Sequence, residues 1–211
     1  MSIIPKLATS LNRRDEVPNV ELAAIIAQKE DKLLVSELVV NLYNKNRAIR
    51  HDCIKVLYEI GKLKPKLIAD SYRLFVAILG NADNRMQWGA MTALDCIVRE
   101  RPREIYLSLK TIVEAADKGS VITRDHCVSI LIKFASISQY SEKAFTLLLE
   151  QLSACPPNQL PLYAENTVPV VKYGNRDAFV QVLSSRLDGM EKESGRKRIE
   201  KVIKKVQKPA V

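Results

Sequence analysis

Three segments of the chain repeat one another at an interval of 37 residues. IRHDCIKVLYEIGKLKP (49–65) is followed by MQWGAMTALDCIVRERP (86–102) and then by TRDHCVSILIKFA (123–135). Superposed, they give shared columns: Ile49, Met86 and Thr123; Cys53, Ala90 and Cys127; Val56, Ala93 and Ile130; Leu57, Leu94 and Leu131; Ile60, Ile97 and Phe134. The columns run i, i+4, i+7, i+8, i+11, which is one face of a helix of period 3.6. The Cys53 column holds only small residues, so the closest helix approach is expected there.

Each such helix, here A, is expected to stop and restart. Gly61 reads as a C-cap, Lys62, Lys64, Arg99 and Arg101 suit the negative end of a helix dipole, and Pro65 and Pro102 suit the first turn of a second helix, B. B is predicted from Ile68, Tyr72, Phe75, Val76 and Leu79, and in the next copy from Ile105, Leu109, Ile112, Val113 and Ala116. A third B helix, SEKAFTLLLEQL (141–152), follows a longer turn. Weaker copies flank these. VELAAIIAQKE and DKLLVSELVVNLY form an A–B pair with a short turn at Lys29 to Asp31. LPLYAENTVPVVKYG and NRDAFVQVLSSRL form another, with Pro169 expected to kink its A helix. Lone helices are predicted at about 3–11 and 192–207. A single pair cannot bury its apolar face, but stacked pairs can. The expected fold is all-α: an α-solenoid of five helix pairs over 19–44, 46–80, 84–117, 121–154 and 159–187, forming one domain across 1–211 with terminal capping helices.

The stretch IRHDCIKVLYEIG (49–61) resembles a HEAT-like, armadillo-type helical repeat: Ile49–Arg50, Cys53, Leu57, Ile60 and Gly61 stand at the positions that pattern uses. The copy at 123–135 keeps the arginine as Arg124; the copy at 86–102 has Gln87 instead. The resemblance covers about 19–187 and implies architecture. Arrays of this kind serve as scaffolds, inhibitors, transport adaptors and nucleic-acid binders, and one branch comprises alkylpurine DNA glycosylases.

Composition narrows the class. Apolar residues make up 47% and charged residues 27% of 211, with 7 glycines and no linker-like tract, as in a globular protein. No apolar run reaches the roughly 20 residues of a membrane span, and the N-terminus has no signal-peptide stretch, so a cytoplasmic, non-membrane protein is expected. Cys53, Cys96, Cys127 and Cys155 show no CxxC spacing, and no metal or cofactor is expected. The net charge of +9 is uneven: residues 189–211 hold eight Lys or Arg against three Glu.

No catalytic set is found. His51 and His126 lie in different copies, roughly 20 Å apart if neighbouring helices pack about 8–10 Å from one another, and cannot share an ion. Phosphate-cradling and nucleophile-elbow motifs are absent. Trp88 and Asp95 have an attractive spacing for a glycosylase, but Trp88 lies off the face defined by 86, 90, 93, 94 and 97, and the glycosylase set does not map onto this chain. An aromatic directed away from the core is instead a candidate interface anchor, for a partner or for a second copy of the chain. The inner surface is expected to be lined by B-helix positions Lys66, Asp70, Arg73, Arg103, Lys110 and Glu114. Their mixed signs fit a protein or peptide better than a nucleic acid. The closing helix carries a basic patch, Arg196, Lys197, Arg198, Lys201, Lys204 and Lys205, opposite an apolar stripe of Ile199, Val202, Ile203 and Val206. The function expected is a non-enzymatic protein-binding or scaffolding module. The alternative is a nucleic-acid-binding protein that uses the basic helix and B-helix cations, related to the HEAT-like glycosylases.

Overall fold

The computed structural model describes residues 2–208; residue 1 and residues 209–211 of the expected domain lie outside it. Among the described residues there are twelve α-helices and no strand. They are α1 Val17–Lys29, α2 Lys32–Val40, α3 Arg47–Leu63, α4 Tyr72–Ile78, α5 Asn84–Ile97, α6 Pro102–Leu107, α7 Leu109–Lys118, α8 Val121–Ala135, α9 Ser141–Ala154, α10 Leu160–Thr167, α11 Tyr173–Ser185 and α12 Glu193–Gln207. The chain forms two compact units that divide inside α8, between Cys127 and Val128.

In the first unit the A helices α1, α3 and α5 pack side by side in chain order, with α2 on α3 and α4 on α5. The shared columns form the core: Cys53, Val56, Leu57, Ile60, Ala90, Ala93, Leu94 and Ile97 are all fully buried. In α8 the equivalent Cys127, Ile130, Leu131 and Phe134 are equally buried. Burying a leucine of this kind stabilises by about 1.5–3 kcal/mol. Close approach is built in where glycine replaces a side chain. A Cβ on Gly89 of α5 would lie 2.7 Å from Ile54 Cγ1 of α3. Gly61 corrects a sequence expectation. It does not cap α3, which runs on to Leu63, but leaves room for Ile68, whose Cδ1 would be 2.6 Å from an added Cβ.

The B segments also depart from expectation. The first, predicted as one helix, is two 3-10 turns (Pro65–Leu67 and Ala69–Ser71) followed by α4. The second is broken at Ser108 into α6 and α7. The Ser108 hydroxyl donates to the Glu104 carbonyl at 3.1 Å, a local bond that competes with the helix ladder. The repeat here is thus one long helix plus a B segment in three pieces in the first copy and two in the second. The short α1–α2 turn is as expected: Glu30 is left-handed (φ 51°) and the Asp31 carboxylate caps α2, accepting from the Leu33 and Leu34 amides at 3.1 Å each.

The expected helix over 3–11 is reduced to a 3-10 turn at Ile4–Lys6 followed by irregular turns. Side chains take its backbone donors. The Ala8 amide donates to Asn19 Oδ1 at 3.0 Å and the Thr9 amide to Asp52 Oδ2 at 2.7 Å, while Ile3 and Leu7 are buried.

In the second unit, α9 packs on α11, and α12 packs on α10 and α11; Phe145 and Phe179 meet with ring centroids 6.4 Å apart. Pro169 ends its helix instead of kinking it. α10 stops at Thr167 and Val168–Val170 is a 3-10 turn, because proline brings no N–H for the carbonyl four residues back and its ring crowds that carbonyl.

Candidate partner-binding surface

The A helices of the first unit carry a connected lattice of charges and rings. Glu16, which immediately precedes α1, reaches both neighbouring A helices: one oxygen lies 2.8 Å from Lys55 Nζ on α3 and the other 2.5 Å from Arg85 Nη2 on α5. Lys55 also donates to Glu59 one turn on, at 2.7 Å, and Lys62 donates to the same oxygen at 3.0 Å. The ammonium groups of Lys55 and Lys62 lie 4.9 and 5.0 Å from the ring centre of Tyr58, within cation–π range. Trp88, half-buried on α5, packs on Tyr58 with centroids 5.7 Å apart and the planes tilted by 52°. Trp88 is therefore off the core columns, as the helical wheel indicates, but rests on the preceding A helix, α3.

The electrostatics fit this packing. Burial acts to discharge Lys55, but the bonds to Glu16 and Glu59 outweigh it and raise its pKa. Burial likewise pushes Glu59 up, and the bonds from Lys55 and Lys62 reverse the sign and lower it. Both groups are held charged. Burial pushes the Tyr58 hydroxyl up, so it stays neutral.

Further polar links join successive A helices. Asn19 donates to Asp52 at 2.8 Å. Asp83, the N-cap of α5, accepts from the Arg85 amide at 3.1 Å, Arg47 Nε at 2.7 Å and His51 Nε2 at 2.8 Å. Burial alone would raise the Asp83 carboxyl; the bonds from Arg47 and His51 prevail and hold it well below the usual carboxylate range. His126 Nδ1 lies 2.9 Å from the buried Asp95. Both histidines thus serve as bridges between repeats. Asp95, offered as a glycosylase-like partner for Trp88, is engaged in one of those bridges.

The B-segment candidates occupy exposed positions. Lys66 lies in the first 3-10 turn, Asp70 in the second, Arg73 on α4, Arg103 on α6, and Lys110 and Glu114 on α7. Asp70 accepts from Arg101, Arg73 Nε donates to the Tyr72 hydroxyl at 2.9 Å, and Lys110 and Glu114 are 4.0 Å apart. Arg73 and the Lys110–Glu114 pair stay within their own segments, whereas Asp70 is tied across 31 positions to Arg101, the N-cap of α6.

The basic patch on α12 separates into two sets. Arg198 makes a two-pronged bond with Glu165 of α10, at 2.8 and 2.7 Å; Arg196 lies 3.3 Å from Asp188; Lys197 lies 3.5 Å from Glu193. Lys201, Lys204 and Lys205 are exposed on the outer side of the helix, while Ile199 and Val202 are buried beneath it. Among the described residues, no group of three or more His, Cys, Asp or Glu is placed to hold a metal ion, and no helix is long and apolar enough to cross a membrane. The Cys53 and Cys127 thiols, which burial pushes up to about 12, stay protonated.

No protein-family model and no curated protein matches the chain. Solved structures do. A designed armadillo repeat protein, YIII(Dq)4CqI, superposes with a TM-score of 0.64 at 14% identity, covering 97% of this chain and all of that one. A second design, YIII(Dq.V1)4CPAF in complex with the peptide (KR)4, gives 0.67 at 15% identity over 98% and 100%. A third, described as computationally designed for modular peptide recognition, gives 0.65 at 14% over 95% and 98%. The fold is an armadillo/HEAT-type helical repeat. It is an all-α solenoid, and the B segment divided into α6 and α7 shows how its repeat can carry three helices where the sequence suggests two.

Sequence reasoning missed Glu16, Lys55, Tyr58, Glu59 and Arg85. A signal was present for two of them. Lys55 shares a column with Thr92 and Ser129, and Tyr58 with Asp95 and Ile132, next to the Trp88 column that was singled out. Glu16 precedes the first periodic segment and had none.

Proposed function

We propose that the protein is a non-enzymatic module that binds another protein or a peptide segment, with Trp88 as its anchor on the A-helix surface of the first unit. One observation carries the reading: Trp88 is half-buried against Tyr58 inside a lattice of fixed charges. Aromatic anchors with an apolar body and a charged surround are the residues on which binding energy concentrates. The peptide-bound and peptide-recognition designs of the same fold support it. The ligand chemistry differs from the basic peptide of that design. Here Glu16 and Glu59 are already neutralised by Lys55, Lys62 and Arg85, so the partner segment presents an apolar or aromatic side chain next to an acidic one. The proposal places the module in the cytoplasm, a setting that suits protonated buried thiols.

Selection from a displayed random-peptide library tests it. The expected result is an enriched acidic–apolar motif whose binding falls by roughly 30-fold or more in Trp88→Ala, the loss of a hot spot of about 2 kcal/mol. No enrichment over an unrelated helical protein, or equal binding by Trp88→Ala, overturns the reading. Sedimentation equilibrium of both proteins tests the case in which the partner is a second copy.

A further inference from the structure

The outward face of α12 is not used by this reading, and its chemistry differs from that of the Trp88 surface. Ile199 and Val202 are buried against the second unit, and Arg198 is fixed to Glu165, so the helix is held in one orientation. That orientation turns Lys197, Lys201, Lys204, Lys205 and Lys208 outward, all exposed. They recur at i, i+4, i+7, i+8 and i+11, a single stripe about 16 Å long at 1.5 Å per residue. Together with the half-buried Glu200 they line a shallow hollow of 530 Å³. Lys197 is loosely paired with Glu193 at 3.5 Å, and among the described residues no ion pair is formed by Lys201, Lys204, Lys205 or Lys208.

We propose that this lysine stripe is a docking surface for the phosphate backbone of duplex nucleic acid, bound without regard to sequence. Two features select that occupant. Interfaces with other proteins have an apolar centre and are depleted in lysine, whereas every fully exposed cation of this stripe is a lysine and the apolar side of the helix is already covered. Contacts to nucleic acid are polar and strongly positive. Single strands are held by stacking on aromatic rings, and the stripe has none, which leaves the duplex backbone. Lysine ammonium groups act on it as point charges, with no bidentate arginine to read a base edge.

The full chain and a fluorescein-labelled 20-base-pair duplex of arbitrary sequence provide the test, by anisotropy at graded KCl. Neutralising four phosphates gives a slope of log K against log salt of about −3.6, or roughly 100-fold weaker binding at 200 mM than at 50 mM. The variant K201Q/K204Q/K205Q/K208Q is expected to bind at least tenfold more weakly at 50 mM with a flattened slope. The matched variant K29Q/K32Q/K45Q/K118Q, which lowers the net charge equally, is expected to bind as the unaltered chain does. Unaltered circular dichroism in both variants secures the comparison, because all eight positions are exposed. The proposal is overturned if no binding is seen at 50 mM, if both variants weaken equally, if single-stranded DNA binds more tightly than duplex, or if poly-glutamate competes as well as the duplex does.

Discussion

The A helices and the B segments of the first unit are built from similar numbers of residues and similar composition, yet they solve opposite problems. α3 and α5 run unbroken and bury not only Leu57 and Leu94 but also Asp52, Lys55 and Asp95, each satisfied by a neighbouring repeat or a flanking segment. The B segments at 65–78 and 102–118 break into pieces and keep their charges in water. A helix flanked on both sides by other A helices has to place polar groups where the next copy can answer them. A segment with one open side does not, so its sequence and its backbone are freer.

The largest effect should come from the shared columns. Leu57→Ala or Leu94→Ala is expected to destabilise by about 2–5 kcal/mol, read from urea midpoints, while Lys110→Ala leaves the midpoint within scatter. Similar midpoints for all three would dissolve the contrast. Next comes the Asp83 bridge. Asp83→Ala removes an N-cap and the acceptor for Arg47 and His51, and about 1–3 kcal/mol is expected to be lost. Asp70→Ala, at an exposed pair in the B segments, should be silent.

The same bridge sets a pH dependence. The folded Asp83 carboxyl is held below its ordinary value of 3.8, so its contribution is complete above that value. It is lost as pH falls below about 4, where the unfolded chain takes up the proton first. Thermal melts from pH 6 to pH 2.5 should show a fall that is shallower in Asp83→Asn; identical profiles would remove the bridge from the account. A smaller effect is expected at Gly89. Alanine there gains helix propensity of about 1 kcal/mol but presses on Ile54, and overpacking costs about 1–3 kcal/mol, so a net loss near 1 kcal/mol is predicted. The smallest is Ser108→Ala, which removes the bond to Glu104 and should raise stability by a few tenths of a kcal/mol.

The A helices could be read from the sequence because their columns repeat, and repetition is what neighbour-on-neighbour packing demands. Cys53, Leu57, Leu94 and Leu131 are all fully buried, as the periodicity requires. The B breaks were hidden because Ser108 sits between Ile105, Leu109 and Ile112 without disturbing the apolar period; a hydroxyl turned onto its own backbone leaves no mark on that pattern. Gly61 was misjudged because a cap and a close approach both call for glycine. The Trp88 surface was half visible. A single helical wheel places Trp88 outside the core but has no means of showing Tyr58, 30 positions earlier, beneath it. Glu16 bridges 39 and 69 positions to Lys55 and Arg85, contacts that only the stacking of three A helices creates.

Native-state hydrogen exchange resolved to peptides compares the two layers most directly. If successive A helices share one interior, amides of 50–62 and 87–97 exchange only with global unfolding, and their protection tracks the denaturant-measured stability. Amides of 65–71 and 102–108 then exchange at least 100-fold faster through local opening. Equal protection in the two layers, or A-helix amides that exchange faster than the B segments, would contradict the account.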